Sequence, residues 1–222
     1  MSTIVKVKSV EHLTHDVIHL TLEKPEGLVY TPGQAVDISI NKPCWEDKKT
    51  CFTFVSLPEE NQIEFVIKTY PSHQGITNEL LSVKPGDEIS VYKPFGDIHF
   101  KGEGIFIAGG AGITPFLAIL KDLKKQNNLG KNKLIFANRS KADIIMENHF
   151  NDLLGEKFIN ILSDEELEGY EHGYVSQELI QKHQEPTLKF YYLCGPPPMM
   201  NAVEKHLAAL GIPAEYIVKE GF

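Results

Sequence analysis

The chain has 222 residues, 42% hydrophobic and 23% charged, enough to bury one large core or two of about 100 residues each. Its formal net charge of −8 argues against a nucleic-acid binder, which needs a basic face. The longest uncharged run, Gly104 to Leu120, is broken by Gly109, Gly110, Gly112 and Pro115 and falls short of a bilayer span, while Met1 to Asp16 carries Lys6, Lys8, Glu11 and Asp16 with no apolar stretch; no membrane segment and no signal peptide are expected, and the protein is expected in the cytoplasm.

From Ile4 to about Phe100 the apolar residues alternate in short runs: Ile18, Leu20, Leu22; Val36, Ile38, Ile40; Ile63, Phe65, Ile67; Ile89, Val91. Pro-Glu-Gly, Pro-Gly-Gln and Pro-Gly-Asp turns bound them, so this half predicts an antiparallel sheet of five or six strands closing into a small Greek-key β-barrel. One helical interruption is expected, from Thr77 to Val83.

After Lys101-Gly102-Glu103-Gly104 the period changes. Strands are expected at Gly104 to Ala108, Lys133 to Ala137, Phe158 to Leu162, Phe190 to Cys194 and Tyr216 to Lys219. Helices are expected at Pro115 to Lys125, near Glu147 to Leu154, from Ser176 to His183 and from Met199 to Leu210. Alternation of this kind implies a doubly wound α/β domain, a parallel sheet covered on both faces. The expected division is a barrel over residues 1–101 and a nucleotide-binding domain over 102–222. Each half carries −4, so charge does not tell them apart.

Several chemistries lack their starting residues. Cys44, Cys51 and Cys194 form no C-x-x-C pair and no even disulfide framework, so no iron–sulfur cluster, zinc knuckle or other metal site is expected. Neither H-E-x-x-H nor G-x-S-x-G occurs. Of the 22 basic residues only Arg139 is an arginine, so a bidentate grip on phosphate elsewhere must be made by other means.

The segment Ile105-Phe106-Ile107-Ala108-Gly109-Gly110-Ala111-Gly112-Ile113-Thr114-Pro115 runs from a buried strand through a Gly-rich turn into a helix. Glycines allow the backbone to approach a pyrophosphate, the helix N-terminus offers unpaired N–H groups, and Pro115 suits the first helical turn. The spacing is G-x-G-x-x-P, one residue away from the usual dinucleotide fingerprint. A second strand-to-helix turn stands at Cys194-Gly195-Pro196-Pro197-Pro198-Met199, and in an open parallel sheet both turns fall at the carboxyl edge, where ligands bind.

Taken in order, Pro32-Gly33-Gln34, Phe52-Thr53-Phe54-Val55-Ser56, Gly75-Ile76-Thr77, Pro94-Phe95-Gly96-Asp97, the Gly110-Ala111-Gly112-Ile113-Thr114-Pro115 turn, Cys194-Gly195-Pro196-Pro197-Pro198-Met199 and Glu220-Gly221-Phe222 resemble the ferredoxin–NADP reductase superfamily over nearly the whole chain. The resemblance implies a flavin-binding barrel, usually holding FAD with FMN as the lesser alternative, joined to a pyridine-nucleotide domain, with hydride passing between nicotinamide and flavin. It places Phe52 along the flavin and the Thr53 hydroxyl near its reactive nitrogen, with Thr50, Phe54, Ile67 and Lys68 in the same flavin site. It makes Gly75-Ile76-Thr77 the turn for the flavin phosphates. In the second domain it implies that Gly110, Gly112, Ile113, Thr114, Pro115, Gly195, Pro196 and Met199 line the coenzyme, that Cys194 lies beside the reacting carbon, and that Glu220 and Phe222 form a terminal acidic and aromatic pair serving catalysis with Thr53 and Cys194. The family's Arg before the Tyr/Phe-Ser/Thr pair is replaced by Thr50, which predicts weak or exchangeable flavin; Lys48, Lys49 or Lys68 could offer a point charge without the fork.

Coenzyme choice turns on charge near the adenosine ribose. The run Leu162-Ser163-Asp164-Glu165-Glu166 sets carboxylates where a 2′-phosphate would be repelled, favouring NADH over NADPH, although Arg139 could reach such a phosphate. The expected activity is electron transfer from NAD(P)H through flavin to a separate acceptor such as flavodoxin, ferredoxin or another redox protein. The alternatives are an NAD(P)H:flavin oxidoreductase using free flavin as substrate and a non-enzymatic nucleotide or redox sensor.

Overall fold

The computed structural model describes residues 2–70 and 72–220. Its first half has strands β1 (Thr3–Thr14), β2 (Val17–Glu23), β3 (Ala35–Ile40), β4 (Thr50–Thr53), β5 (Gln62–Lys68) and β6 (Glu88–Phe95), with a single helical turn α1 (Ile76–Glu79) continued by a 3-10 turn, Leu80–Ser82. The strands pair antiparallel in the order β4-β3-β6-β1-β2-β5. Long β1 serves two neighbours, Thr3–Lys6 on β6 and Val7–Thr14 on β2, and a register shift between Val7 and Ser9 marks where it turns from one to the other.

The alternating residues do what their period demands: Ile18, Leu20, Leu22, Ile38, Ile63 and Phe65 are fully buried in one cluster, which Ile76, Leu80 and Val83 cover at one end. The expected closed barrel is corrected in one respect. β4 is only four residues long and the ladder does not close between β4 and β5; past the end of β4 the Val55 N–H donates to Glu64 O at 2.9 Å, and the Glu64 N–H donates to Ser56 Oγ at 3.1 Å. The result is barrel-like but open.

The second half holds β7 (Gly104–Gly109), α2 (Thr114–Lys125), β8 (Lys133–Asn138), α3 (Glu147–Leu154), β9 (Phe158–Leu162), β10 (Glu171–His172), α4 (Gln177–His183), β11 (Phe190–Cys194), α5 (Pro197–Ala209) and β12 (Ile217–Val218). All six strands are parallel in the order β10-β9-β8-β7-β11-β12, so the direction of winding reverses between β7 and β11. Helices α2 and α3 pack on Phe106 and Phe136, while α4 and α5 pack on Ile105, Ile107 and Tyr191. The short β10 was not expected, α5 begins two residues early because Pro197 suits a first helical turn, and a 3-10 turn takes Tyr216 from the last strand.

The two halves share one apolar seam, in which Val17, Val55, Val66 and Ile98 of the first half belong to the same buried cluster as Phe116, Ile119 and Leu120 of α2. Polar contacts bracket it: Lys121 Nζ donates to Val55 O at 3.0 Å, Lys125 pairs with Glu59, and His15 Nε2 lies 3.7 Å from a carboxylate oxygen of both Asp16 and Asp143. The Tyr192 hydroxyl secures the connection between the halves, accepting from the N–H groups of Lys101 (2.9 Å) and Gly102 (3.0 Å) and donating to Gly102 O (2.7 Å). No described helix is long and apolar enough to cross a membrane.

Candidate active site

Parallel pairing sets Cys194 of β11 against Ala108 of β7, so the two Gly-containing turns leave the sheet side by side. They touch closely. A Cβ on Gly112 would stand 2.2 Å from Cys194 O, and one on Gly109 would stand 2.4 Å from Met199 Sδ and 2.9 Å from Pro196 Cδ, so glycine is required at both positions for the turns to meet. Gly110 takes a positive φ of 52° and looks into open space. Residues Gly110–Ile113 form a 3-10 turn that runs directly into α2, with Pro115 in its first turn. The backbone thus offers a glycine-walled opening at a twelve-residue helix N-terminus, a cradle suited to an anionic diphosphate.

Thr114 is 7% exposed, and its hydroxyl donates to Ala111 O at 3.0 Å, so it braces the turn from within. The Ile113 side chain is fully buried in the core, so only its backbone is left to face the coenzyme it was expected to line. Gly195 and Met199 pack against Gly109, and Pro196 is the exposed cap of α5.

Where the halves meet, Glu220 accepts from the Asp97 N–H at 3.2 Å and lies 3.0 Å from the Cβ position of Gly96, tying the C-terminal segment to the barrel turn Gly96-Asp97. Burial pushes the Cys194 thiol up to about 12, and the nearby Glu220 carboxylate and Cys51 thiol push the same way. Partial burial raises the Cys51 thiol to about 11, with Asp37 and Glu220 adding to it, although the residue keeps solvent-exposed surface. Cys194, Cys51 and Glu220 therefore gather at one junction from β11, β4 and the C-terminal segment. At neutral pH both sulfurs are neutral thiols, so Cys194 is a polarisable, uncharged wall and not a nucleophile. Phe222 lies outside the described residues.

On the barrel side, β4 exposes Cys51 and half-exposes Thr50, Phe52 and Thr53. Phe52 rests on the barrel core yet keeps accessible surface, as an aromatic ring beside a flat ligand requires. Phe54 is corrected: it is fully buried, stacked on Tyr30 at 4.0 Å, and cannot present its ring to a ligand. Ile67, 1% exposed, is likewise a core side chain. Gly75 caps α1 and faces open space; Ile76 behind it is buried, and Thr77 stands inside the helical turn with Gly75 as the cap.

The lysines that could replace the missing arginine are engaged. Lys48 Nζ stands 3.9 Å from the centre of the Trp45 ring, Lys49 Nζ stands 4.2 Å from that of Tyr92, and Lys68 pairs with Asp16 at 2.7 Å. The Asp16 carboxyl is lowered by Lys68 and Thr14 against its partial burial. Phe52 and Thr53 keep accessible surface, and Gly75 faces open space.

Arg139, Ser163 and Asp164 stand at the carboxyl ends of β8 and β9, which follow β7 in turn on the side away from β11. Their loops run together, with Ser163 N–H donating to Asn138 O at 3.0 Å and Asp164 N–H donating to Arg139 O at 2.9 Å. Sequence reasoning missed Cys51 and the Gly96-Asp97 turn as parts of the site. Cys51 directly precedes Phe52, and Gly96 and Asp97 belong to the Pro94-Phe95-Gly96-Asp97 motif named above without a site role, so both were within reach.

Two family profiles match the chain: one described as an FAD-binding domain over residues 2–133, the other as an oxidoreductase NAD-binding domain over residues 106–205. Among curated proteins the chain is 31% identical, over 98% of its own length and 66% of the relative's, to the reductase component of propane 2-monooxygenase from Mycolicibacterium goodii. It is 29% identical to NADH-cytochrome b5 reductase 2 of Mycosarcoma maydis, over 89% of the chain and 62% of the relative. The chain thus spans about two thirds of the length of these relatives. Among solved structures it is similar to a ferredoxin NADP+ reductase from Neisseria gonorrhoeae with bound FAD and NADP, with a TM-score of 0.85 at 19% identity and coverage of 100% of this chain and 99% of that one, a likeness of fold.

Proposed function

Because the chain belongs to the ferredoxin reductase-like superfamily, with an FAD-binding domain followed by an NAD-binding domain, we propose that it takes electrons from NAD(P)H onto FAD held in the barrel and passes them to a separate acceptor. The observation that carries this reading is the junction itself. Gly112 at the head of α2 packs on Cys194, Cys194 lies near Glu220 and Cys51, and Cys51 directly precedes the half-exposed Phe52 and Thr53, so residues of both domains come together there.

FAD bound there would supply the link between a two-electron donor and acceptors that take electrons singly or in pairs. The protein's part is orientation and exclusion of water. Gly112 pressed against Cys194 O fixes the spacing of the two coenzyme-binding turns. Burial keeps the Cys194 sulfur protonated, so no fixed negative charge stands at that wall. Glu220 is the carboxylate at the junction, and its bond from the Asp97 N–H sets its position. Thr53 offers a half-exposed hydroxyl on β4.

Flavodoxin and ferredoxin are the acceptors proposed; the reductase component of propane 2-monooxygenase and the electron transfer component of toluate 1,2-dioxygenase among the relatives support electron transfer to a separate partner and name neither. NADH is the favoured donor, on the strength of the carboxylates at the rim near Asp164. Anaerobic addition of NADH to purified protein should bleach the absorbance of its flavin; a yellow protein that neither pyridine nucleotide reduces would overturn the reading in favour of a sensor. A second reading, in which flavin is a diffusing substrate, is favoured by Thr50 together with the engagement of Lys48, Lys49 and Lys68. It predicts colourless protein that oxidises NADH only when flavin is added.

A further inference from the structure

The segment Gly96-Asp97-Ile98-His99-Phe100 carries the chain out of the barrel, and its two ends are held unequally. Ile98 is 1% exposed in the seam between the halves, and its carbonyl oxygen stands 2.4 Å from where a Cβ on Gly33 would be. The Phe100 ring stacks on Tyr192 with centroids 6.1 Å apart. At the other end Gly96 has a φ of 116° and no side chain to anchor it, and a Cβ there would lie 3.0 Å from Glu220 Oε1. The Asp97 N–H that Glu220 accepts therefore belongs to the peptide unit joined to this glycine. One side chain reaches back to steady it. His99 is exposed, and its Nδ1 lies 2.8 Å from Asp97 O. A carbonyl oxygen only accepts, so this contact places the ring hydrogen on Nδ1. Asp97 is thus gripped through both of its main-chain groups, its carbonyl by His99 and its N–H by Glu220.

We propose that His99 is a positioning residue for Glu220: by holding the Asp97 carbonyl it sets the plane in which the Asp97 N–H meets the carboxylate. The inference rests on the reading of the junction as the place where coenzyme and flavin meet, and it adds to that site a residue that does not touch it. Glu220 acts on both Cys194 and Cys51, so where its carboxylate stands fixes the charge at the junction. A carboxylate released to wander loses that preorganisation, which slows the chemical step and leaves coenzyme affinity alone. Loss of one exposed hydrogen bond of this kind corresponds to a slowing of about threefold to tenfold.

The test uses the two amide isosteres of histidine. The Asn Nδ2 group takes the place of the ring Nδ1 and keeps a donor for Asp97 O, the Gln Nε2 group takes the place of the ring Nε2, and alanine has neither. The full chain carrying flavin is mixed anaerobically with NADH in a stopped-flow instrument, and Cys51 alkylation by iodoacetamide is timed separately with no NADH present. His99→Ala and His99→Gln should lower the limiting rate of flavin reduction about threefold to tenfold at an unchanged half-saturating NADH concentration. Both should also alkylate Cys51 faster, in the direction of Glu220→Gln, because a loosened Glu220 no longer holds that thiol up. His99→Asn should restore both readouts towards wild type. Wild-type reduction and labelling in His99→Ala would overturn the inference, as would an Asn variant no better than Ala at the wild-type melting temperature. If wild type is reduced by NADH and the variants match it in both readouts, this inference alone falls. If NADH reduces none of the proteins, the reductase reading falls and Cys51 labelling decides whether His99 positions Glu220.

Discussion

Gly112→Ala is the sharpest probe of the crevice, because the added methyl has nowhere to go. Its carbon would stand 2.2 Å from Cys194 O, 2.5 Å from Cys194 C and 2.7 Å from Gly195 N, all of them backbone atoms of the facing turn. No side chain can rotate away, so one of the two turns must move. Overpacking of this kind costs about 1–3 kcal/mol, and rigid neighbours on every side place this case at about 3 kcal/mol. For a chain of this size that lowers the melting temperature by about 6–12 °C. Gly110→Ala is the comparison: its methyl meets nothing within 4 Å, and only the positive φ of 52° opposes it, at about 1–2 kcal/mol. Thermal unfolding followed by circular dichroism should rank wild type above Gly110→Ala and Gly110→Ala above Gly112→Ala. Weaker binding of adenosine 5′-monophosphate should accompany the larger loss. A Gly112→Ala variant that melts with the wild type, or above Gly110→Ala, would refute the close docking of the two turns.

Further expectations follow from the same geometry. Thr50→Arg should tighten flavin binding about tenfold by supplying a forked donor, read as the flavin retained after dialysis, and unchanged retention would show that Thr50 is not where the grip was lost. Iodoacetamide at pH 8, followed by mass spectrometry, should label exposed Cys44 and spare Cys194, whose thiol is held near 12; rapid labelling of Cys194 would contradict its burial. Glu220→Gln should lower both the Cys194 and Cys51 thiols, seen as faster alkylation of each. His149 and His183 are both lowered by burial, so the unfolded chain protonates first: stability should be flat above about pH 6.5 and fall below it, by at most about 1.4 kcal/mol per pH unit for each histidine. Denaturant midpoints between pH 7 and pH 5 should show this slope shrinking in His149→Gln and His183→Gln, and a slope left intact in both would exclude the two rings as its source.

Much of the architecture was legible because the apolar period changes sharply after Gly104. The run Ile105 to Ala108 is buried on both faces and reads as an inner parallel strand, while Ile18, Leu20 and Leu22 alternate as a one-sided strand must. What escaped depended on partners distant in sequence. β10 is two polar residues made into a strand only by pairing with Ile161 and Leu162. Phe52 and Phe54 both rest on the barrel core, yet the sequence cannot say which ring is capped by Tyr30 and which is left open. Lys68 looked available for a phosphate until Asp16, on the hairpin between β1 and β2, came within 2.7 Å. Glu165 was one of a run of acids, and only folding brings its carboxylate to the Lys141 N–H while Asp164 stays in water.

The apolar seam between Val17, Val55, Val66 and Ile98 and the flank of α2 means that neither half can be cut free at Lys101 without baring a greasy face. The two halves therefore act as a single solid block and not as a hinged clamshell. Any room needed by an arriving coenzyme would then come from small shifts in the Gly110 and Gly195 turns and around the Glu220 contact with Asp97.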